Sequence, residues 1–242
     1  MTTATLSALI FDVDGTLADT ESAHRAAFNT AFREAGLDWN WDEALYTRLL
    51  EVSGGKERIR HYWSEVNGEM RSIDAGALAD TVQRIHDLKT ACYEGLVNEG
   101  AVQLRPGVLA LIESASQQGL RLAIATTTSP VNIAALLRKA LGADWKYAFQ
   151  VVEDASTAPL KKPHPQVYLQ TLSRMRLAPE AGLAFEDSGN GLRAARGAGL
   201  ATLVTPNAYT AHHDFSGALR VLPDLAGIGV GELRAWHAEA GR

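Results

Sequence analysis

The chain has 242 residues, 46% of them apolar, which is enough for one large domain or for a core carrying a smaller insertion. A formal net charge of −5 without a basic stripe argues against a nucleic-acid partner. The single cysteine, Cys92, excludes an internal disulfide and a cysteine-built metal cluster, and no apolar run approaches the roughly 18 residues of a membrane span.

The first apolar stretch, Leu6 to Phe11, has no basic segment before it and runs straight into Asp12. It reads as a strand leading to a site rather than a signal peptide, so a cytoplasmic protein is expected. Asp12-Val13-Asp14-Gly15-Thr16-Leu17 follows directly. Two carboxylates two residues apart at a strand's open end suit a hard dication such as magnesium, which prefers oxygen ligands. A carboxylate nucleophile needs such a cation to approach an anionic phosphate. The plain alternative is a strand-to-turn transition, where Asp and Gly are common.

Residues 19–100 read as helical, with no convincing strand. Phe28, Ala31, Phe32 and Ala35 recur at helical spacing, and Leu78, Val82, Ile85, Leu88, Cys92 and Leu96 form a second stripe, both read as packing within a bundle. Trp39 and Trp41 belong with that core, and Cys92 is expected to be a buried packing residue. Glu21 and His24 lie three apart on one helix face, where they could reach sugar hydroxyls or serve only structure. Gly54-Gly55-Lys56-Glu57-Arg58 places two cations beside a glycine pair, suited to an anionic substrate group or to a helix start with solvated charges.

Beyond residue 100 short apolar runs alternate with helical patterns. Helices are expected over Val108–Gln118, Val131–Ala140, Gln166–Met175 and Gly191–Ala198. Strands are expected over Leu120–Ala125, Phe149–Val152, Leu183–Phe185 and Ala201–Val204. This alternation predicts an α/β fold, a Rossmann-like, doubly wound parallel sheet with an all-helical cap inserted after the first strand. Ligands of such sheets bind beyond the carboxyl ends of the strands, where Asp12, Thr126 and the Glu186-Asp187 pair fall.

Thr126, Thr127, Thr128 and Ser129 offer hydroxyls and N–H groups to phosphoryl oxygens, and Ser129 before Pro130 also fits a helix cap. Lys162, in a proline-stiffened loop, could pair with the nucleophile or be an ordinary solvated lysine. Glu186-Asp187-Ser188 repeats the acidic design of the first motif, with a helix N-cap by Asp187 or Ser188 as its plain alternative. His212, His213 and Asp214 do not read as a second metal site, since nothing near them in sequence completes a ligand set.

The four motifs, in this order and each at a strand's end, resemble the haloacid dehalogenase superfamily along the whole chain, with a type-one cap between the first two. The resemblance implies residues 1–18 and 101–242 as core and 19–100 as cap. It implies Asp12 as nucleophile, Asp14 as general acid-base, and Thr126 and Lys162 as phosphoryl ligands, with Thr127 beside them. It also implies Mg2+ held by Asp12, the carbonyl of Asp14, and Asp187, with Glu186 binding directly or through water.

Asp12 to Ala18, Glu21, His24, Gly54 to Arg58, Leu104-Arg105-Pro106-Gly107, Phe185 to Ser188, and Thr205-Pro206-Asn207 through Gly217 are similar to the CbbY family. Its members are sugar-bisphosphate phosphatases, notably of xylulose-1,5-bisphosphate, an inhibitory by-product of Rubisco. That similarity adds Glu21, His24, Gly54, Gly55, Lys56, Glu57 and Arg58 as substrate contacts. It implies a small-molecule sugar phosphate or bisphosphate as partner, with no nucleic acid or membrane, and a monomer. A sugar phosphomutase of the β-phosphoglucomutase type, or a phosphatase of another small phosphate monoester, would use the same core motifs.

Overall fold

The computed structural model describes residues 5–67 and 75–240. Residues 1–4, 68–74 and 241–242, which the expected core and cap ranges include, lie outside the described residues. The strands are β1 (Ala8–Phe11), β2 (Arg121–Ala125), β3 (Val151–Glu153), β4 (Gly182–Glu186), β5 (Ala201–Val204) and β6 (Arg220–Val221). They form one sheet in the order β3-β2-β1-β4-β5-β6, parallel throughout.

Central β1 is apolar at every position because a parallel sheet covered on both faces leaves no side for water. Its residues alternate: Leu9 and Phe11 join one apolar cluster, Ala8 and Ile10 the other. Helices α5 (Val108–Gln117), α6 (Pro130–Leu141) and α9 (Val230–Ala240) contribute to the first cluster, and α7 (Gln166–Met175) and α8 (Gly189–Gly197) to the second. The crossovers from β1 through β5 therefore return over a buried sheet face, and the carboxyl ends of the strands are left open.

Between β1 and β2 the described residues hold helices α1 (Glu21–Glu34), α2 (Glu43–Leu49), α3 (Gly55–Val66) and α4 (Ala75–Asn98) ahead of α5. Phe28, Phe32, Trp41, Tyr46, Ile59, Val82 and Ile85 form a third apolar cluster, with Trp39 packed against it. Helix α4 is about 36 Å long at 1.5 Å per residue. Its first half packs in that cluster, while Tyr93 and Val97 join the cluster beneath the sheet. The chain leaves and re-enters the body side by side, through an Arg105 N–H to Leu17 carbonyl bond of 2.9 Å and an antiparallel bridge of Ala18 with Leu104.

Two expectations need correction. Phe149 and Gln150 are not strand: a 3-10 turn, Trp145–Ala148, delivers Phe149 into the apolar cluster, and pairing with β2 begins at Val151. Cys92 is only partly buried, at the margin of that cluster. Strand β6 and helix α9 lie outside the elements expected from sequence; a two-residue strand carries no periodicity to read. No described helix is long and apolar enough to cross a membrane.

Candidate active site

Asp12 continues the line of β1, its N–H bonded to the Phe185 carbonyl of β4 at 3.0 Å. Glu186 ends β4 and Asp187 follows it. Two adjacent central strands thus bring three buried carboxylates together, with oxygens of Asp12, Glu186 and Asp187 all within 4.8 Å of one another. Lys162, from the loop before α7, donates to Asp12 Oδ1 and Glu186 Oε1, each at 2.6 Å. Tyr168 of α7 donates its hydroxyl to the same Glu186 oxygen.

One ammonium does not balance three buried carboxylates. Burial lifts Asp12 to about 7, Lys162 pulling it down and Glu186 pushing it up. Burial, then the charges of Asp12 and Glu186, raise Asp187 well above the usual carboxylate range. Glu186 Oε2 is buried without a hydrogen-bond partner among the described residues. An all-oxygen donor set short of positive charge fits a hard dication such as magnesium. Residues Asp12, Glu186 and Asp187 carry that fit. The carboxylate of Asp14 lies outside the cluster, which leaves only its main chain for such an ion.

Asp14 instead meets His24. The His24 ring lies stacked on Tyr93, with Nε2 2.9 Å from Asp14 Oδ1 and Nδ1 2.8 Å from Lys89 Nζ. A lysine ammonium has only protons to give, so Nδ1 accepts and the ring proton sits on Nε2, donating to Asp14. Burial and then Lys89 lower the His24 pKa, which keeps the ring neutral. Burial raises Asp14, but His24 and then Lys89 more than offset it and hold its carboxyl well below the usual range. Lys89 itself is brought down to about 8, chiefly by burial. Sequence reading missed Lys89, although it falls on the same helix face as Val82, Ile85 and Tyr93, all buried.

Glycines make room for this arrangement at two points. Gly15 has φ +78°, and a Cβ there would overlap Asp187 Oδ2 and Asn207 Nδ2. A Cβ at Gly191 would overlap the carboxylate of Glu186. The caps fall where they leave the site free: Ser188 Oγ accepts from the Gly191 N–H at 3.1 Å, so Asp187 is not the N-cap of α8. Ser129 caps α6 ahead of Pro130.

A cavity of about 530 Å³ opens over the carboxylates. Asp12, Asp14, Glu21, His24, Gly54, Gly55, Lys56, Glu57, Arg58, Thr126, Thr127, Lys162, Glu186 and Asp187 all line it, so every site residue expected from sequence meets at one place. Several are already engaged. Tyr46 donates its hydroxyl to Glu21 at 2.7 Å, and Lys56 Nζ donates to Gln83 at 2.6 Å. Arg58 is 9% exposed, over the rings of Phe28 and Tyr46, and donates to the carbonyls of Leu49 and Val52. Its guanidinium ties the cap together beneath the cavity wall. Arg60, Lys89 and Lys161, with the His86 ring among them, complete a cationic rim that sequence reading did not assemble.

The cap brings Glu51 to His212 and His213, a grouping the sequence could not show. His213 Nδ1 accepts the Gly189 N–H at 3.2 Å, which puts the ring proton on Nε2, 3.2 Å from Glu51 Oε1. A nitrogen carrying its proton is no metal ligand, so this is a contact between cap and body.

The chain belongs to the haloacid dehalogenase-like hydrolases, whose family pattern matches residues 6–199, and it is a phosphatase. Within that family it is similar to the CbbY proteins. CbbY encoded on a plasmid of Cupriavidus necator is 50% identical over 96% of this chain and 97% of its own. The crystal structure of CbbY from Rhodobacter sphaeroides in complex with phosphate has a TM-score of 0.87 at 42% identity, covering 94% of this chain and 99% of that one. A mutant of the same protein in complex with xylulose-1,5-bisphosphate has a TM-score of 0.84 at 42% identity, with the same coverage.

Proposed function

We propose that the chain is a magnesium-dependent sugar-bisphosphate phosphatase that works through a phosphorylated Asp12, with xylulose-1,5-bisphosphate as its substrate. The observation that carries the chemistry is the buried group of Asp12, Glu186 and Asp187 with a single lysine, Lys162, beside an Asp14 held separately by His24. The substrate class rests on the cationic rim of the cavity and on the sugar bisphosphate bound by the 42%-identical neighbour.

In this reading residues 19–100 are a cap that closes over the core, 1–18 and 101–242, and excludes bulk water. Lys162 and Thr126 orient the phosphoryl group at Asp12. Magnesium, when bound, would neutralise the carboxylates and phosphoryl oxygens enough for two anions to approach. Asp12 attacks phosphorus in line, the bond to the sugar oxygen breaks, and Asp14 gives that oxygen its proton. Asp14, again ionised, takes a proton from the water that attacks the phosphorus, and inorganic phosphate leaves Asp12 free. The pull of His24 and Lys89 suits the second step, where Asp14 is a base. For the first step the negative charge of the arriving substrate raises Asp14 again.

The test is inorganic phosphate release over a panel of sugar mono- and bisphosphates, with magnesium and then with chelator. Fastest release from xylulose-1,5-bisphosphate, abolished by chelator, is expected. Activity indifferent to chelator would overturn the magnesium reading, and sugar-phosphate isomerisation without phosphate release would turn it toward a mutase.

A further inference from the structure

Asn207 lies in the loop after β5, outside the four motifs. Its Nδ2 donates to Asp187 Oδ2 at 2.8 Å, while its Oδ1 accepts the Tyr209 N–H at 2.9 Å. Its own N–H donates to Thr210 Oγ1 at 3.0 Å. These partners leave the amide one workable orientation. Turned over, its NH2 would face the Tyr209 N–H and its oxygen would face the Asp187 carboxylate. On the far side, Gly15 closes in so tightly that a Cβ would overlap both Asp187 Oδ2 and Asn207 Nδ2. One oxygen of Asp187 is thus held in a fixed corner, and the other is the one Asn207 leaves unclaimed.

The loop that carries Asn207 is itself anchored. The Tyr209 ring, 8% exposed, sits in the apolar cluster of the cap, edge-on to Tyr46 with centroids 5.9 Å apart. Its hydroxyl lies 3.1 Å from Ser22 Oγ of α1. Thr205, at the start of the loop, is joined to Glu186 by an N–H to carbonyl bond of 2.8 Å. The loop is therefore fixed to the sheet at one end and to the cap at the other, with Asn207 between them.

We infer that Asn207 is a positioning residue for Asp187, orienting that carboxylate as a magnesium ligand while Tyr209 anchors the loop against the cap. The inference rests on the magnesium reading proposed above. Partners that orient a metal ligand commonly account for about 10- to 100-fold in metal affinity. Asn207 touches neither substrate nor reacting atoms in this account, so its effect should appear in metal binding first.

The experiment is isothermal titration of the substrate-free enzyme with magnesium, for wild type, Asn207→Ala, Asn207→Ser and Asp187→Ala. Serine keeps an oxygen that can accept the Tyr209 N–H, so it preserves the turn, but it is too short to reach Asp187. Both Asn207 variants are expected to raise the magnesium Kd by about tenfold or more. For Asn207→Ser the thermal midpoint in chelator, and the KM for substrate at saturating magnesium, should stay near the wild-type values, whereas Asn207→Ala also loses the acceptor of the Tyr209 N–H and should lower the midpoint. A Kd within twofold of wild type in Asn207→Ser, with binding lost in Asp187→Ala, defeats this inference alone. An unchanged Kd in Asp187→Ala as well defeats the magnesium reading with it. In Asn207→Ser, a weaker Kd matched by a lower midpoint in chelator and a higher KM would mark Asn207 as merely structural, and the inference would fail.

Discussion

Asp12 combines two properties that pull against each other: it is buried deeply enough to be raised to about 7, yet an ammonium 2.6 Å away favours its ionised form. Asp12→Asn keeps the size and removes the attacking charge, so turnover should fall by several orders of magnitude. Retention of even a tenth of the wild-type rate, about 1.4 kcal/mol in barrier, would end the assignment of Asp12 as nucleophile. The two cap cations, paired in sequence, separate in the structure. Lys56 is half-buried with its ammonium on Gln83, whereas Arg58 is buried over two aromatic rings. Lys56→Ala should therefore lower kcat/KM for a bisphosphate by about tenfold to a hundredfold and leave a pentose monophosphate nearly unaffected, as loss of a charge-assisted hydrogen bond implies. An unchanged ratio between the two substrates would remove Lys56 from the distal phosphate. Arg58→Ala should instead destabilise the fold by about 1–3 kcal/mol, because the Leu49 and Val52 carbonyls lose their donor; urea titration measures it.

Between elements, the contacts that matter are those holding the cap against the body at the cavity. Asn190, in the first turn of α8, donates to the Glu51 carbonyl at 2.9 Å and to Ser53 Oγ at 3.2 Å, directly after α2. His213 adds its contact with the Glu51 side chain. Asn190→Ala removes both hydrogen bonds at once and leaves the sheet untouched. At about 0.5–1.5 kcal/mol for each bond, kcat/KM is expected to drop by roughly fivefold to 150-fold, with the thermal midpoint of the protein little changed. Steady-state kinetics with wild-type efficiency in this variant would show that closure does not depend on the clamp.

For the molecule as a whole, the cationic rim costs stability in acid. His86 is lowered to about 3, first by burial and then by the charges of Lys89 and Lys56. Its folded value lies below its unfolded value, so the unfolded chain binds more protons between about pH 6.5 and 3. Stability therefore falls as pH drops through that window and is unaffected by this group above it. At pH 5 the loss is about 2 kcal/mol, which His86→Asn should largely remove. Unfolding free energies measured at pH 7 and pH 5 for both proteins check it: equal pH dependence would mean that His86 is not held neutral.

The parallel sheet, the position of the helical insertion and the motifs of Asp12, Thr126 and Glu186 at strand ends were legible in the sequence, whereas Lys162 lies beyond β3 in the loop before α7. Each legible feature depends on local order: an apolar run long enough to be a central strand, a 3.6-residue stripe, or a carboxylate pair placed just past a strand. Those rules singled out Asp12, Asp14, Thr126, Glu186 and Asp187, the family resemblance added Lys162, and all six line one cavity. They failed for β6 and at Phe149, where a short strand or an irregular turn leaves too few residues to show a period. Only tertiary structure decided what surrounds the motifs. It brought Lys89 to His24 across 65 positions of sequence, Asn207 to Asp187 across 20, and Glu51 to His213. It also turned Arg58 inward. Such pairings follow from how one helix or loop packs on another, and no periodicity or spacing along the chain encodes that.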